Sequence, residues 1–327
     1  MTDHLLRAAR AGDRAAFDAL VDEHRRELHV HCYRMLGSVQ DAEDAVQETL
    51  LSAWLGLAGF EGRSSVRTWL YRIATNRCLN LLRAGRRAPQ PADPAALPTA
   101  RGEVMWLQPY PDSLFDDIPD DAPGPETRYE SRDAISLAFT RALQLLPPSQ
   151  RAALLMRDVL GYPAAEAAEL LGVSVDALNG SLKRARAALA TTPARRDATT
   201  PDPELLERFV TAFLSDDVSA LVALMTDDVW VRMPPLPYEY HGPSAAAAFF
   251  GAVADHRRTI ERMVPTSANR QPAWGEYARD ATTGCLRLVG VLVIGVAGRR
   301  IDELTHFDTS VAPLLGLPRS VAWPERQ

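Results

Sequence analysis

The chain has 327 residues, 46% of them hydrophobic and 24% charged, with a formal net charge of −6; this is a globular composition long enough for two or three domains, and it excludes a disordered chain or a coiled coil. No apolar run approaches the ~18 residues of a membrane span and MTDHLLRAARAGD lacks a signal-peptide core, so a cytoplasmic protein without a membrane partner is expected. Three cysteines, Cys32, Cys78 and Cys285, are too scattered for a disulfide framework or a zinc cluster.

The net charge would argue against a nucleic-acid partner if it were uniform, but it is not. Residues 1–92 carry net +2, residues 93–133 net −7, residues 134–197 net +3 and residues 198–327 net −4. Two basic blocks are therefore separated by an acidic spacer. Nine of the 24 prolines fall between Pro89 and Pro125, so this stretch is expected to be a linker and not part of a core. TTPARRDATTPDP (191–203) marks a second break.

The first block predicts helices throughout. In DAEDAVQETLLSAW the residues Ala42, Ala45, Val46, Thr49, Leu50 and Ala53 recur at helical spacing, which leaves Glu43, Asp44, Gln47, Glu48 and Leu51 on the other face. In SSVRTWLYRIATNRCLNLLR the expected buried stripe is Val66, Leu70, Ile73, Ala74, Leu81 and Leu82. No acid occurs between Glu61 and Asp93, whereas Arg63, Arg67, Arg72, Arg77, Arg83, Arg86 and Arg87 do. Arginines interleaved with Trp69, Tyr71 and Asn76 suit phosphate neutralisation with base stacking, and equally a solvated basic face over core aromatics.

The second block, GYPAAEAAELLGVSVDALNGSLKRARAALA, reads as helix, tight turn, helix. Pro163 suits the first helical position, small Ala168 a close crossing, Gly172 the turn and Ser174 the cap of the next helix. Val173, Leu178 and Leu182 are expected inside, with Asp176, Asn179, Lys183, Arg184 and Arg186 outside, the spacing of a helix-turn-helix that reads a major groove. Gly180 inside that helix costs ~1 kcal/mol of helix stability.

The third block changes character. Residues 204–224 predict two short helices broken at Ser215-Asp216-Asp217, DDVWVRMPP a strand, and GPSAAAAFFGAVADHRR a helix. CLRLVGVLVIGV and RRIDELTHF then predict two strands joined at Ala297-Gly298. This order implies an α+β cone with an antiparallel sheet and an internal pocket.

DAEDAVQETLLSAW, GRSSVRTWLYRIATNRCLNLLR and LPPSQRAALLMRDVLGYPAAEAAELLGVS, in that order, resemble the extracytoplasmic-function sigma factors of bacterial RNA polymerase over roughly 5–88 and 130–190. The third block resembles the SnoaL-like fold through its pattern and the MPP…Y…HG…A segment at 233–248. The implied architecture is two all-α domains, a sigma region 2 helical bundle (1–88) and a region 4 helix-turn-helix (130–192), joined by the linker 89–129, with a C-terminal α+β SnoaL-like cone (203–320).

By that resemblance Asp41, Glu43, Asp44, Gln47 and Glu48 face the β′ clamp helices of core RNA polymerase. Phe60, Arg63, Arg67, Trp69, Tyr71, Arg72, Asn76, Arg77 and Asn80 are candidates for melting and reading the −10 element of promoter DNA. Ser174, Asp176, Asn179, Lys183, Arg184 and Arg186 are candidates for the −35 element. The linker of this family enters the polymerase, and Trp106-Leu-Gln-Pro-Tyr-Pro111 is similar to a motif that some fused members use between domains. An anti-sigma factor or a small-molecule ligand is a further candidate partner.

Pocket candidates in the third block are Trp230, Met233, Tyr238, Tyr240, His241, Trp274, Tyr277, His306 and Asp308. A His306–Asp308 pair at i, i+2 offers acid–base chemistry or a simple salt bridge. No nucleophile signature, metal-ligand cluster or cofactor motif accompanies it, so a non-enzyme without metal or cofactor is expected. The alternative is a SnoaL-like enzyme or ligand sensor that carries a helix-turn-helix module.

Overall fold

Asp13 opens and Gly37 closes a 23-residue helix, α2 (Arg14–Leu36): the Asp13 carboxylate accepts from the Ala16 amide, and Gly37 adopts the left-handed conformation (φ 73°) that ends the helix. The computed structural model describes residues 2–84, 94–101, 107–115, 135–191 and 201–323. They divide into a helical unit, chiefly 2–84 and 139–191, and an α+β unit, chiefly 94–113 and 201–323. Arg86, Arg87 and Trp106 lie outside the described residues.

The helical unit comprises α1 (Thr2–Arg10), α2, α3 (Val39–Gly56), α4 (Val66–Ala84), most of α5 (Leu137–Gln144), α6 (Pro148–Leu154), α7 (Ala164–Leu171) and α8 (Val175–Thr191). Ser38 caps α3 by accepting from the Asp41 amide, and the expected stripe Ala42, Ala45, Val46, Thr49, Leu50 and Ala53 is buried. On α4 the buried face is broader than the stripe predicted. Thr68, Trp69, Tyr71, Thr75, Cys78 and Leu79 are buried, whereas Leu81 is exposed and Leu82 half-buried. The reason is that α4 has neighbours on two sides, α2 and α3 on one and α6 and α7 on the other, which a single-stripe pattern does not anticipate. Cys32 and Cys78, distant in sequence, meet in this core, where the hydrogen bond between them and burial push the Cys32 thiol up.

Helix α6 is fastened to α2 by one side chain. The guanidinium of buried Arg151 donates through Nη1 to the Met35 carbonyl and to Gln144 Oε1 (2.6 Å), and through Nη2 to the carbonyls of Gln144 (3.0 Å) and Leu146 (3.1 Å). Gln144 Nε2 donates in turn to the Arg34 carbonyl at 3.0 Å. After α6 the chain makes one wide π turn (Leu155–Val159) and enters the helix-turn-helix. Gly172 is left-handed (φ 64°), and Ser174 Oγ accepts from the Ala177 amide at 3.2 Å, as expected. Leu178 and Leu182 pack inward, but Val173 is 44% exposed and Pro163 stands at the cap, one residue before the helix begins.

In the α+β unit, α9 (Pro203–Leu214), α10 (Val218–Ala223), α11 (Pro243–Ala252) and α12 (Ala254–Arg257) accompany a sheet of order β1-β3-β2-β7-β6-β5-β4. Its strands are β1 (Ala100–Arg101), β2 (Met225–Arg232), β3 (Tyr238–His241), β4 (Ile260–Ala268), β5 (Gln271–Arg279), β6 (Leu286–Ala297) and β7 (Arg300–Phe307), with β8 (Ser320–Val321) beside β6. Strands β3, β4 and β5 were not expected, and β2 pairs with β7 in parallel, so the sheet is mixed and not purely antiparallel. The β4–β5 turn is Asn269-Arg270, both at positive φ (55° and 56°); it lacks the glycine that usually announces such a hairpin.

The near-continuous apolar run of β6 reflects burial on both faces. Leu292, Ile294 and Val296 join the core that includes α9 to α11, while Val291 and Val293 join a second core with Phe307, Val311 and Leu107. Part of the proline-rich stretch is thus structured, contrary to expectation. Ala100 pairs with Glu239, and Tyr110, fully buried, exchanges bonds with Asn269 through its amide (2.8 Å to Oδ1) and its carbonyl (2.8 Å from the Asn269 amide). An extended segment poor in amide donors suits a sheet edge. No described helix is long and apolar enough to cross a membrane.

A Cβ at Gly180 on α8 would meet only Arg184 Nη1, at an ordinary 3.5 Å. Gly180→Ala is therefore expected to stabilise the helical unit by about 0.5–1 kcal/mol, read as a higher denaturation midpoint; an unchanged or lower midpoint contradicts this.

Candidate functional surfaces and pocket

The outer face of α3 is acidic and then apolar. Glu43, Asp44, Gln47 and Glu48 are exposed, Asp41 is half-buried at the capped start, and Gln47 Nε2 donates to Glu43 Oε1 at 3.0 Å. One turn further on each time, Leu51 (60% exposed) and Leu55 (74%) continue the same face. The i, i+4 series 47, 51, 55 was available in the sequence, yet Leu55 was not among the candidates.

The expected −10 surface divides. Phe60, Trp69 and Tyr71 are buried in this structure: Phe60 stacks on Trp69 at 4.7 Å and Tyr71 is only 1% exposed. Arg63, Arg72, Asn76 and Asn80 are exposed. Arg67 is engaged, with Nε and Nη2 both 2.8 Å from Glu27 Oε2 and its guanidinium 5.0 Å from the Tyr71 ring centroid. Arg77 reaches Ser52 (2.9 Å) and Glu48 (3.6 Å), so a candidate for DNA and a candidate for polymerase hold each other.

Burial raises the Glu27 carboxyl, but hydrogen bonds from His24 and Arg67 outweigh it and keep Glu27 below its ordinary value. Beneath this cluster His31 shares a 2.9 Å hydrogen bond with Thr75. Burial, reinforced by the positive charge of Arg34 against the attraction of Glu27, lowers its imidazole to about 3.

On α8, Asp176, Asn179, Lys183 and Arg184 are exposed, and Ser174 is exposed at its cap. Arg186 is not free: its guanidinium grips buried Asp158 with bonds of 2.8 and 2.5 Å, fixing α8 to the π turn. Asp176 in the first turn complements the helix dipole.

The α+β unit holds a partly open, almost wholly apolar cavity of about 80 Å³ lined by Phe213, Phe249, Phe250, Leu292 and Leu304 among other apolar residues, with Arg257, His256, Glu276 and His306 beside them. Of the predicted pocket residues, Met233 and His306 line it. Trp230 does not, because on strand β2 it alternates with Val231, which faces the cavity; it stacks on His241 at 4.3 Å and carries Arg232 over its ring. Tyr238, Tyr240 and Trp274 belong to the surrounding core, and Tyr277 lies in the second core, its hydroxyl donating to the Pro318 carbonyl at 2.7 Å.

The partner of His306 is Glu276 and not Asp308. Nε2 lies 3.0 Å from Glu276 Oε2, whereas Asp308 is exposed and caps the next turn through the Ser310 amide (2.8 Å). Glu276 sits on β5 opposite Gly290, and a side chain at Gly290 would strike both His306 and Glu276, whose Oε2 would lie 2.8 Å from its Cβ. Burial opposes protonation of His306, but the attraction and hydrogen bond of Glu276, with Asp308 beyond, outweigh it and raise the imidazole above its ordinary value. Glu276 was missed because the strand that carries it was missed.

Comparison with known proteins matches residues 20–88 to Sigma-70 region 2, residues 136–189 to Sigma-70 region 4 and residues 206–304 to a SnoaL-like domain. The chain is 42% identical over 324 residues to the ECF RNA polymerase sigma factor SigG of Mycobacterium tuberculosis, covering 94% of this chain and 85% of that one. It is 37% identical over 186 residues to SigM of the same species, covering 57% and 81% respectively. In structure it is similar to the extracytoplasmic function sigma factor SigJ of M. tuberculosis, with a TM-score of 0.57 and 22% identity over 90% of this chain and 97% of that one.

Because folding holds His31 neutral while the unfolded imidazole titrates near 6.5, the unfolded state binds more protons below pH 6.5. The contribution of His31 is thus complete above pH 6.5 and declines by about 1.4 kcal/mol per pH unit as pH falls toward 3. NMR of the His31 ring is expected to show no titration between pH 8 and 5, and protonation near pH 6.5 contradicts the assignment.

Proposed function

Because this chain belongs to the extracytoplasmic-function RNA polymerase sigma factors, we propose that it binds core RNA polymerase, directs it to promoters and assists their opening, without being an enzyme itself. In this reading the acidic and leucine-bearing face of α3 docks on the β′ clamp helices of the polymerase. Arg63, Arg72, Asn76 and Asn80 on and before α4 meet the −10 region, and Asn179, Lys183 and Arg184 on α8 meet the −35 region. Residues 1–88, 130–192 and 203–320 act as the region 2, region 4 and SnoaL-like modules.

The observation that carries the mechanism is that α4 and α8 share one packed unit. Positions −10 and −35 lie about 25 base pairs apart, roughly 85 Å at 3.4 Å per pair, whereas a folded unit of about 150 residues is on the order of 40 Å across. Both helices cannot read their elements in this arrangement. The Arg151 clasp and the 3.2 Å bond from Thr68 Oγ1 to Glu166 must part when the polymerase engages. Opening would also release Tyr71 from its edge contact with Tyr162, making that ring available to an unpaired base.

The C-terminal unit modulates this step in our reading. It holds the linker, through the Ala100–Glu239 pairing and the Tyr110–Asn269 bonds. A linker committed to the two ends of that sheet is withheld from the polymerase interior. An anti-sigma factor or a ligand is the candidate signal.

Run-off transcription with core polymerase tests this with three chains. The full chain is expected to support promoter-specific initiation. Lys183→Ala is expected to weaken promoter binding at every sequence and reduce the salt slope by about 1. A chain ending at residue 196 is expected to change promoter output. No initiation by the full chain rejects the promoter-directing reading, and unchanged output on truncation rejects modulation.

A further inference from the structure

We propose that Gly180 is a specificity-determining position of α8: the space left by its missing side chain seats the C5-methyl group of a thymine in the −35 element. This rests on the proposed function, in which α8 meets the −35 region. Gly180 lies two residues from each of the buried Leu178 and Leu182, which at about 100° per residue puts it on the opposite side of the helix. Exposed Asp176 stands one turn before it, and exposed Lys183 and Arg184 one turn after it, on the same face.

The fold does not ask for a glycine there. Gly180 has ordinary helical geometry, unlike the left-handed Gly172 that makes the turn. Among the described residues, a Cβ at Gly180 would meet only Arg184 Nη1 of its own helix, at 3.5 Å, and no other element comes within 4 Å. A glycine inside a helix weakens it, and here no close packing offsets that loss. What gains from the empty space therefore lies outside the chain.

The surroundings of the space specify what enters it. Its floor is a Cα methylene on a backbone whose amides and carbonyls are bonded along the helix, so it offers no free donor or acceptor. Of the groups that base pairs present in the major groove, the thymine methyl is the apolar one, and the others are donors or acceptors. Arg184 is folded toward Ser181, whose Oγ accepts from Nη2 at 3.4 Å, and with Lys183 it forms a basic rim. Such a rim holds the helix against phosphates while the glycine lets its backbone approach the base edge.

Holoenzyme made from core polymerase and the full chain is offered duplexes randomised over the −35 element, and the retained duplexes are sequenced. The unaltered chain is expected to prefer thymine at one position. Gly180→Leu is expected to lose that preference alone and to hold the best duplex at least about tenfold less tightly. Leucine is a better helix former than glycine, so a folding defect does not account for the loss. Uracil in place of that thymine removes only the methyl; it is expected to weaken binding by the unaltered chain by a similar factor and to leave Gly180→Leu unaffected. Thymine preference retained in Gly180→Leu, a loss spread equally over all positions, or no effect of uracil overturns the proposal while the promoter reading stands. Selection of no sequence by the unaltered holoenzyme rejects both.

Discussion

The last carbonyls of a helix have no partner within it, and at the end of α2 three of them are answered in three ways. Tyr33 accepts from the Gly37 amide, Arg34 from the Gln144 side chain and Met35 from Arg151. Two of these donors belong to a segment more than a hundred residues downstream. The negative end of the α2 dipole is thereby complemented by a buried guanidinium, and a requirement of local helix chemistry becomes the closure of the helical unit. The other helices depend on that closure: α8 rests on α6, α7 rests on α4, and Tyr162 covers Tyr71.

That arrangement explains why the expected −10 residues separate into two groups. Exposed Arg63, Arg72, Asn76 and Asn80 are available in the closed state, while Arg67, Tyr71 and Trp69 are tied to Glu27, to Tyr162 and to Phe60. In the proposed function, engaging them internally is what would couple promoter opening to assembly. The charge distribution along the chain agrees, since the basic excess lies in the two helical blocks and the acidic excess in the linker and the C-terminal unit.

Much of this was legible in the sequence where one periodicity met one neighbour. The α3 stripe, the Gly172 turn, the Ser174 cap and the exposed face of α8 are consequences of local spacing. Where an element is covered twice, as α4 is, the pattern left Trp69 open between core and surface and misplaced Leu81. It also misled where a salt bridge redirects a basic residue, as at Arg186, held by Asp158 from outside its own helix. In the third block the strands without a clean apolar alternation or a glycine turn were invisible, and with them went Glu276, the true partner of His306. Pairings between β5 and β7 across Gly290 are long-range facts that no local window contains.

In the proposed function the helical unit is closed in the free protein and opens on polymerase. Paired distance labels at exposed Asp22 on α2 and Ala190 on α8 test it directly, measured with and without core polymerase. The distance is predicted to lengthen by tens of ångströms in the complex, as the separation of the two promoter elements demands. An unchanged distance in a transcriptionally active complex would contradict it.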